Sequence, residues 1–427
     1  MPMDTWLDRA ARMHSERTAL ETSHTQLSYA ELDDRARRAA GALKELGVAP
    51  GNRVALALPA GPEFAAALHG CMRAAAVAVP IDRRLGAAER ASRAAGAAVL
   101  VDAPLDGPAL RRAPPLSLDD VATVVHTSGT TSAPRPVALT YGNWLASALG
   151  SAVALGLDPQ ERWLCPMPLT HVGGLSILHR SSIYATTAVL RERFDTAEVL
   201  RLLSDREAGI TLVSLVPTML ARLLDAGLEG PPTLRSALLG GGPIAPALLV
   251  RARRAGVPVA PTYGMTEACS QIATNGWPLP GTELEIAADG EILVRGPTVA
   301  AGSLAPDGWL HSGDLGRLDE RGRLVITGRK ADTIVTGGEN VAPAEVEAVL
   351  LEHPAISDAA VHGRPDPEWG EAVVATVVLR DRAAIDAETL RDHCGRRLAR
   401  FKVPKSIAFA DALPRTPSGK LLRRDLG

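Results

Sequence analysis

Between residues 120 and 275, short apolar runs alternate with helical stretches, and no other feature of the chain constrains its fold as tightly. VATVVH (121–126) reads as a buried strand, followed by a Gly/Ser/Thr loop and a helix starting near Asn143. TLVSLV (211–216) reads as the next strand, and Pro217 opens the helix PTMLARLLDAG at a position that needs no N–H donor. The unit recurs as LRSALLG (234–240), a glycine turn, helix PALLVRARRAG (246–256) and strand VPVAPTY (257–263). Strands separated by helices pair in parallel with helices on the sheet faces, so the class is α/β. Ligands then sit beyond the C-terminal strand ends. An earlier strand, RVALALP (53–59), and helix, EFAAALHGCMRAAA (63–76), predict a second layered unit.

After about residue 280 the pattern changes. GEILVRG (290–296) and GRLDERGRLVITGR (316–329), turning at Glu320–Gly322, predict antiparallel strands. Beyond Arg329 come a helix opened by Pro343, a strand over 372–381, a helix over 387–401 and a short strand near 406. That describes a small α+β domain over 329–427, following a body over 1–328, with the junction at Gly328–Lys330.

Hydrophobic residues make up 46% and charged residues 22% of the chain, as in ordinary globular proteins. Lys+Arg 46 against Asp+Glu 48 leaves a net charge of −2, without the basic excess of a nucleic-acid binder. No stretch is long and apolar enough to span a membrane, and the N-terminus has no signal-peptide core, so a cytoplasmic protein is expected. Cys71, Cys165, Cys269 and Cys394 lie far apart and read as reduced structural thiols rather than a disulfide or metal framework. Only 5 of the 46 basic residues are lysine, and four of those (Lys330, Lys402, Lys405, Lys420) fall in the last 98 positions. An ammonium is a compact point charge that a guanidinium does not replace, so these survivors invite inspection.

Four segments carry candidate chemistry. Thr127-Ser128-Gly129-Thr130-Thr131-Ser132-Ala133-Pro134-Arg135 follows a strand and offers N–H and O–H donors plus a cation, which suits a polyphosphate; it lacks the Walker A lysine spacing. Thr262-Tyr263-Gly264-Met265-Thr266-Glu267 supplies a ring, a hydroxyl and a carboxylate for a base, a phosphate oxygen and Mg2+. Gly308-Trp309-Leu310-His311-Ser312-Gly313-Asp314 ends in a carboxylate able to accept from a ribose diol. Pro414-Arg415-Thr416-Pro417-Ser418-Gly419-Lys420 sets a glycine beside one of the rare lysines. Each alone has a bland reading: a polar loop, a capped turn, a β-turn aspartate, a solvated terminus.

Together and in this order, the segments resemble the adenylate-forming superfamily of acyl-CoA synthetases, adenylation domains and luciferases. The likeness also takes in GRKADTIVTGGENVAPAEVE and runs over nearly the whole chain. In the middle, PLTHVGGLSILHRSSIYATTAVL, LRSALLGGGPIAP and PTYGMTEACSQI resemble the o-succinylbenzoate–CoA ligase branch. The resemblance implies a large N-terminal body, a mobile C-terminal lid, and an acid–thiol ligase that uses ATP, Mg2+ and coenzyme A on a small-molecule carboxylic acid for menaquinone biosynthesis. It assigns Lys420 and Thr266 to catalysis and Glu267 to catalysis and Mg2+. Thr127, Ser128, Gly129, Thr130 and Thr131 fall to pyrophosphate, and Gly240, Gly241, Gly242 and Tyr263 to adenine. Asp314 and Arg329 fall to ribose, and His171, Ser214, Thr218 and Ser270 to the acyl group. Lys330 takes the hinge, and Gly337, Gly338, Glu339 and Asn340 the CoA tunnel. The second carboxylate of succinylbenzoate needs a donor, for which Arg180 and His171 both qualify.

Two departures from the pattern stand out. The phosphate loop ends Ser132-Ala133-Pro134-Arg135-Pro136, where the family commonly has Gly, any residue, Pro, Lys and Gly; the stretches 80–120 and 274–309 are also trimmed. A ligase for other aryl or fatty acids, a carrier-protein ligase, a pseudo-enzyme that only binds, and a homodimer all stay open at this level.

Overall fold

The alternation resolves into two parallel sheets, seen in a computed structural model that describes residues 4–127, 135–380, 383–415 and 421–426. The larger has nine strands, in the order Trp277–Pro278, Ser270–Thr274, Val259–Met265, Ser236–Leu239, Leu212–Leu215, Arg162–Cys165, Thr187–Leu190, Thr18–Glu21 and Gln26–Ser28. The six from Val259–Met265 to Thr18–Glu21 run parallel, and the outer strands are antiparallel. Leu212–Leu215, Ser236–Leu239 and Thr187–Leu190 are buried at every position, which is why they read as apolar runs rather than alternations.

The second sheet orders Ala97–Val101, Arg53–Leu56, Val77–Pro80, Val121–His126 and Pro136–Thr140, the last antiparallel to its neighbour. The helix expected near Asn143 starts at Tyr141, where Thr140 and Asn143 form a reciprocal capping box. Toward the C-terminus, Leu310–Leu318 and Leu324–Arg329 pair antiparallel as expected. A last sheet pairs Gly370–Leu379 with Ile356–Asp366 on one side and with Ser406–Phe409 on the other.

By contacts the chain forms two units. One comprises Met1–Gly241, Ala255–Glu283 and Arg295–Leu310; the other comprises Gly242–Arg254, Leu284–Val294 and His311–Gly427. The core of the first gathers Trp6, Tyr29, Phe64, Trp144 and Trp163, and that of the second Ile334, Val346, Leu350, Val361 and Leu390. All four cysteines are unpaired and buried. Among the described residues no helix is long and apolar enough to cross a membrane.

Three elements depart from the sequence reading. Ile356–Asp366 is a strand although its sequence, ISDAAVHGRPD, carries charges, a glycine and a proline; pairing along its whole length overrides weak propensity. Thr18–Glu21 joins the large sheet through Thr187–Leu190, a contact with no local signal. The helix expected over 387–401 ends at Gly395, a poor helix former; a turn follows, and a separate 3-10 turn forms at Arg400–Lys402.

The first core also holds buried histidines. His179 is fully buried, its ring 4.4 Å from that of Trp144 and 5.5 Å from that of Trp6. His69 lies 3.2 Å from the Ser182 hydroxyl through Nε2. Burial pushes the His69 imidazole down to about 4, and that of His179 well below its ordinary value. Both are neutral in the fold, while in the unfolded chain they take up protons below about pH 6.5. Stability is therefore full above that value and drains away as pH falls toward the folded-state value, at up to roughly 1 kcal/mol per pH unit and histidine. Thermal melts should show Tm dropping between about pH 7 and about pH 5, and His69→Gln should flatten that drop. An unchanged slope in the variant would remove His69 from the account.

Candidate active site

Because the central strands are parallel, Leu212–Leu215, Ser236–Leu239 and Val259–Met265 deliver their following residues to one sheet edge. Ser214, Thr218, Gly240, Gly241, Tyr263, Thr266, Glu267 and Ser270 all lie in or just beyond these ends. Local sterics set the backbone there. A Cβ on Gly240 would stand 2.7 Å from Thr262 Cγ2 and 3.0 Å from the Thr262 carbonyl, so the glycine lets two strand ends close up. Gly241 has φ +79, and Gly242 is exposed.

Gly264 is more constrained still. Its Cβ would fall 1.7 Å from the Ser270 carbonyl oxygen, because the chain doubles back through the turn Thr266–Ala268. Cys269 and Ser270 hold φ values of +51 and +95, unusual for residues with a side chain. The turn is braced from below: the Ser147 hydroxyl donates to the Cys269 carbonyl at 2.7 Å, and Ala300 N–H donates to the Glu267 carbonyl at 2.8 Å.

Arg180 completes that brace. It is fully buried, donates from Nη2 to the Ser147 hydroxyl at 3.2 Å, and stacks its guanidinium 5.5 Å from the Trp163 ring centroid. Burial draws the guanidinium below its usual value, with Tyr184 and Cys269 acting against that. Trp163 Nε1–H in turn donates to the Ser214 hydroxyl at 2.9 Å. A chain of contacts thus runs from Ser214 through Trp163, Arg180 and Ser147 to the strained turn at Cys269–Ser270. His171 precedes the helix Val172–Tyr184, and burial, together with Arg84 and against the pull of Asp82, holds its imidazole below the usual value. Thr127 closes the stem of the hydroxyl-rich loop: its N–H donates to the Arg135 carbonyl at 3.0 Å and its Oγ1 accepts from Arg135 N–H at 3.2 Å. Ser128, Gly129, Thr130 and Thr131 lie outside the described residues, as does Lys420.

The second unit brings together Asp314 and Arg329. They sit opposite each other in the ladder, Arg329 Nε 2.8 Å from Asp314 Oδ1, with Asp314 buried. Lys330 Nζ pairs with Asp289 at 2.6 Å and Glu291 at 3.0 Å, which raises its ammonium above the usual value. Glu291 was not singled out from the sequence, yet it is buried and also accepts from Gly313 N–H at 2.9 Å. Burial pushes its carboxyl up, but the bonds from Lys330, Gly313 and His311 outweigh that and hold it below the usual range. A buried acid opening the strand Glu291–Arg295, ahead of the apolar run Ile292–Val294, is the signal that marks it. Gly337 and Gly338 turn the chain at φ +59 and +83, and a Cβ on Gly337 would meet the Trp369 ring at 2.9 Å. Glu339 and Asn340 follow, exposed, in the strand Glu339–Val341.

The AMP-binding enzyme profile matches residues 7–109 and 93–304, and that of the AMP-binding enzyme C-terminal domain matches residues 345–420. The chain belongs to the AMP-binding enzyme family. A 2–succinylbenzoate–CoA ligase of Bacillus licheniformis is 38% identical, over 100% of both chains. The o-succinylbenzoate coenzyme A synthetase of Bacillus subtilis in complex with ATP and magnesium is similar at TM-score 0.91 and 36% identity, covering 100% of each chain. The same Bacillus subtilis enzyme with its acyl-adenylate intermediate gives TM-score 0.90 and 36% identity, over 100% of this chain and 98% of that one. This member of the family therefore has its sheet-edge residues set by close backbone packing. Gly264→Ala should cost about 3 kcal/mol or more and lower Tm accordingly. A variant melting with the parent would show that the Gly264–Ser270 approach is not needed.

Proposed function

We propose that the chain is an ATP-dependent acid–thiol ligase that activates o-succinylbenzoate as its acyl-adenylate and passes the acyl group to coenzyme A, in menaquinone biosynthesis. The end-to-end likeness to succinylbenzoate–CoA ligases carries this reading. The protein works in the cytoplasm.

The reaction has two halves. A carboxylate oxygen attacks the α-phosphorus of ATP and pyrophosphate leaves. The coenzyme A sulfur then attacks the acyl carbon, AMP leaves, and the thiol proton goes to solvent. In the first half two anions meet, so charge stabilisation dominates. Thr127 and the loop it opens hold the leaving pyrophosphate, and Thr266 holds the α-phosphate. Tyr263 with Gly240, Gly241 and Gly242 lines the adenine, and Asp314 with Arg329 takes the ribose. For Mg2+ the residues fit: the Glu267 carboxylate has no basic partner among the described residues, and the same short turn carries Thr266, so it offers two hard oxygen donors. Bound there, Mg2+ supplies positive charge to the phosphate oxygens.

Lys420 serves the first half only. A cation about 4 Å from the developing charge contributes about 4 kcal/mol at an effective dielectric near 20, or roughly 10³ in rate. The domain over 329–427 turns about Lys330 between the halves, bringing Gly337 and Gly338 to line the path of the pantetheine arm, where the absence of Cβ leaves room. Release of Lys330 from Asp289 and Glu291 accompanies that turn.

Across a panel of aryl and alkyl acids, thioester formation dependent on ATP should be greatest with o-succinylbenzoate; a higher kcat/KM for another acid would reassign the substrate. Lys420→Ala should slow adenylate formation about 10³-fold while leaving thioester formation from supplied acyl-adenylate within a few-fold. Equal loss in both assays would end the division of labour.

A further inference from the structure

The five-stranded sheet carries, beside the Thr127–Arg135 stem but not including it, a cavity of about 210 Å³ whose lining includes Arg53, Glu89, Arg93, His126, Val79 and Pro136. That is room for several waters or for one tetrahedral ion with its own waters. Its polar groups are mismatched. Arg93 Nη2 pairs with Glu89 at 2.6 Å, but Arg93 Nε is buried with no partner among the described residues. His126 Nδ1 is likewise buried with no partner among the described residues. Arg53 makes no ion pair among the described residues. Two guanidinium groups and an imidazole thus surround one carboxylate, and two of the available nitrogens are unused.

We infer that this cavity binds a small doubly charged oxyanion of the phosphate class, held by Arg53, Arg93 and His126. Guanidinium forks favour such an anion over a halide because they bond two oxygens at once. The imidazole agrees with this: burial, then the nearby Arg93 and Arg53 cations, keep it below its usual value, as expected where two cations converge on one carboxylate. The placement gives such an ion a consequence. His126 is the register partner of Pro136, and the next pair, Thr127 and Arg135, closes the stem of the phosphate loop. An anion here sits next to the Thr127–Arg135 pair, against the residues that flank it, His126 and Pro136. The inference stands whether or not succinylbenzoate is the substrate.

An anion against His126 favours its protonated form, so binding tightens as pH falls and the imidazole midpoint rises. The full chain labelled with carbon-13 histidine, with the His126 signal assigned by His126→Gln, reads this directly. Saturating inorganic phosphate, added with AMP present in excess, should raise the His126 midpoint by about one pH unit, equivalent to about tenfold tighter binding by the protonated form. The double variant Arg53→Met with Arg93→Met should lose the shift while keeping the parent Tm. No shift, a shift abolished by AMP, or one that survives in the double variant would overturn the site.

Discussion

Parallel strands cannot be joined by tight turns, and the site depends on that one topological constraint. Each crossover returns the chain to the same starting edge, so every strand of Leu212–Leu215, Ser236–Leu239 and Val259–Met265 ends on the same side. Ser214, Gly240, Tyr263 and Glu267 are scattered through the sequence but become neighbours in that order because of the pairing. The glycines then decide how closely those ends approach, since Gly240 and Gly264 each stand where a side chain would collide with backbone.

The strained turn at Cys269–Ser270 is held by buried polar contacts in addition to the ladder that pairs Ser270 with Met265. Ser147 fastens the Cys269 carbonyl, and Arg180 fastens Ser147. A fully buried guanidinium without a carboxylate is expensive, and its stacking on Trp163 offsets only part of that cost. The cost makes sense at a site, where backbone strain persists only if the surroundings over-determine it. Arg180 qualifies from the sequence as a substrate donor, and its placement adds a contact to Ser147 beside the turn.

In the second unit, acids and bases are arranged in matched sets. Asp314 faces Arg329 directly across a ladder, a pairing that the two motifs, fifteen positions apart, do not announce. Glu291 ties Gly313 and Lys330 together from a strand that contributes no motif at all. It links the turn bearing Asp314 to Lys330, so the two positions share one buried carboxylate.

The sequence alone determined the α/β class, the strand–helix register over 121–263 and the family motifs, because those are written in local periodicity and in contiguous residues. Helix starts were legible wherever a cap or a proline marks them, as at Tyr141, Pro217 and Pro343. Only the tertiary structure decided that Thr18–Glu21 extends the large sheet, that Ile356–Asp366 is a strand, that Glu291 belongs with Lys330, and that Arg53, Arg93 and His126 surround one cavity. These are pairings across long stretches of chain. Their energy comes from contacts between segments, and no run of neighbouring residues records it.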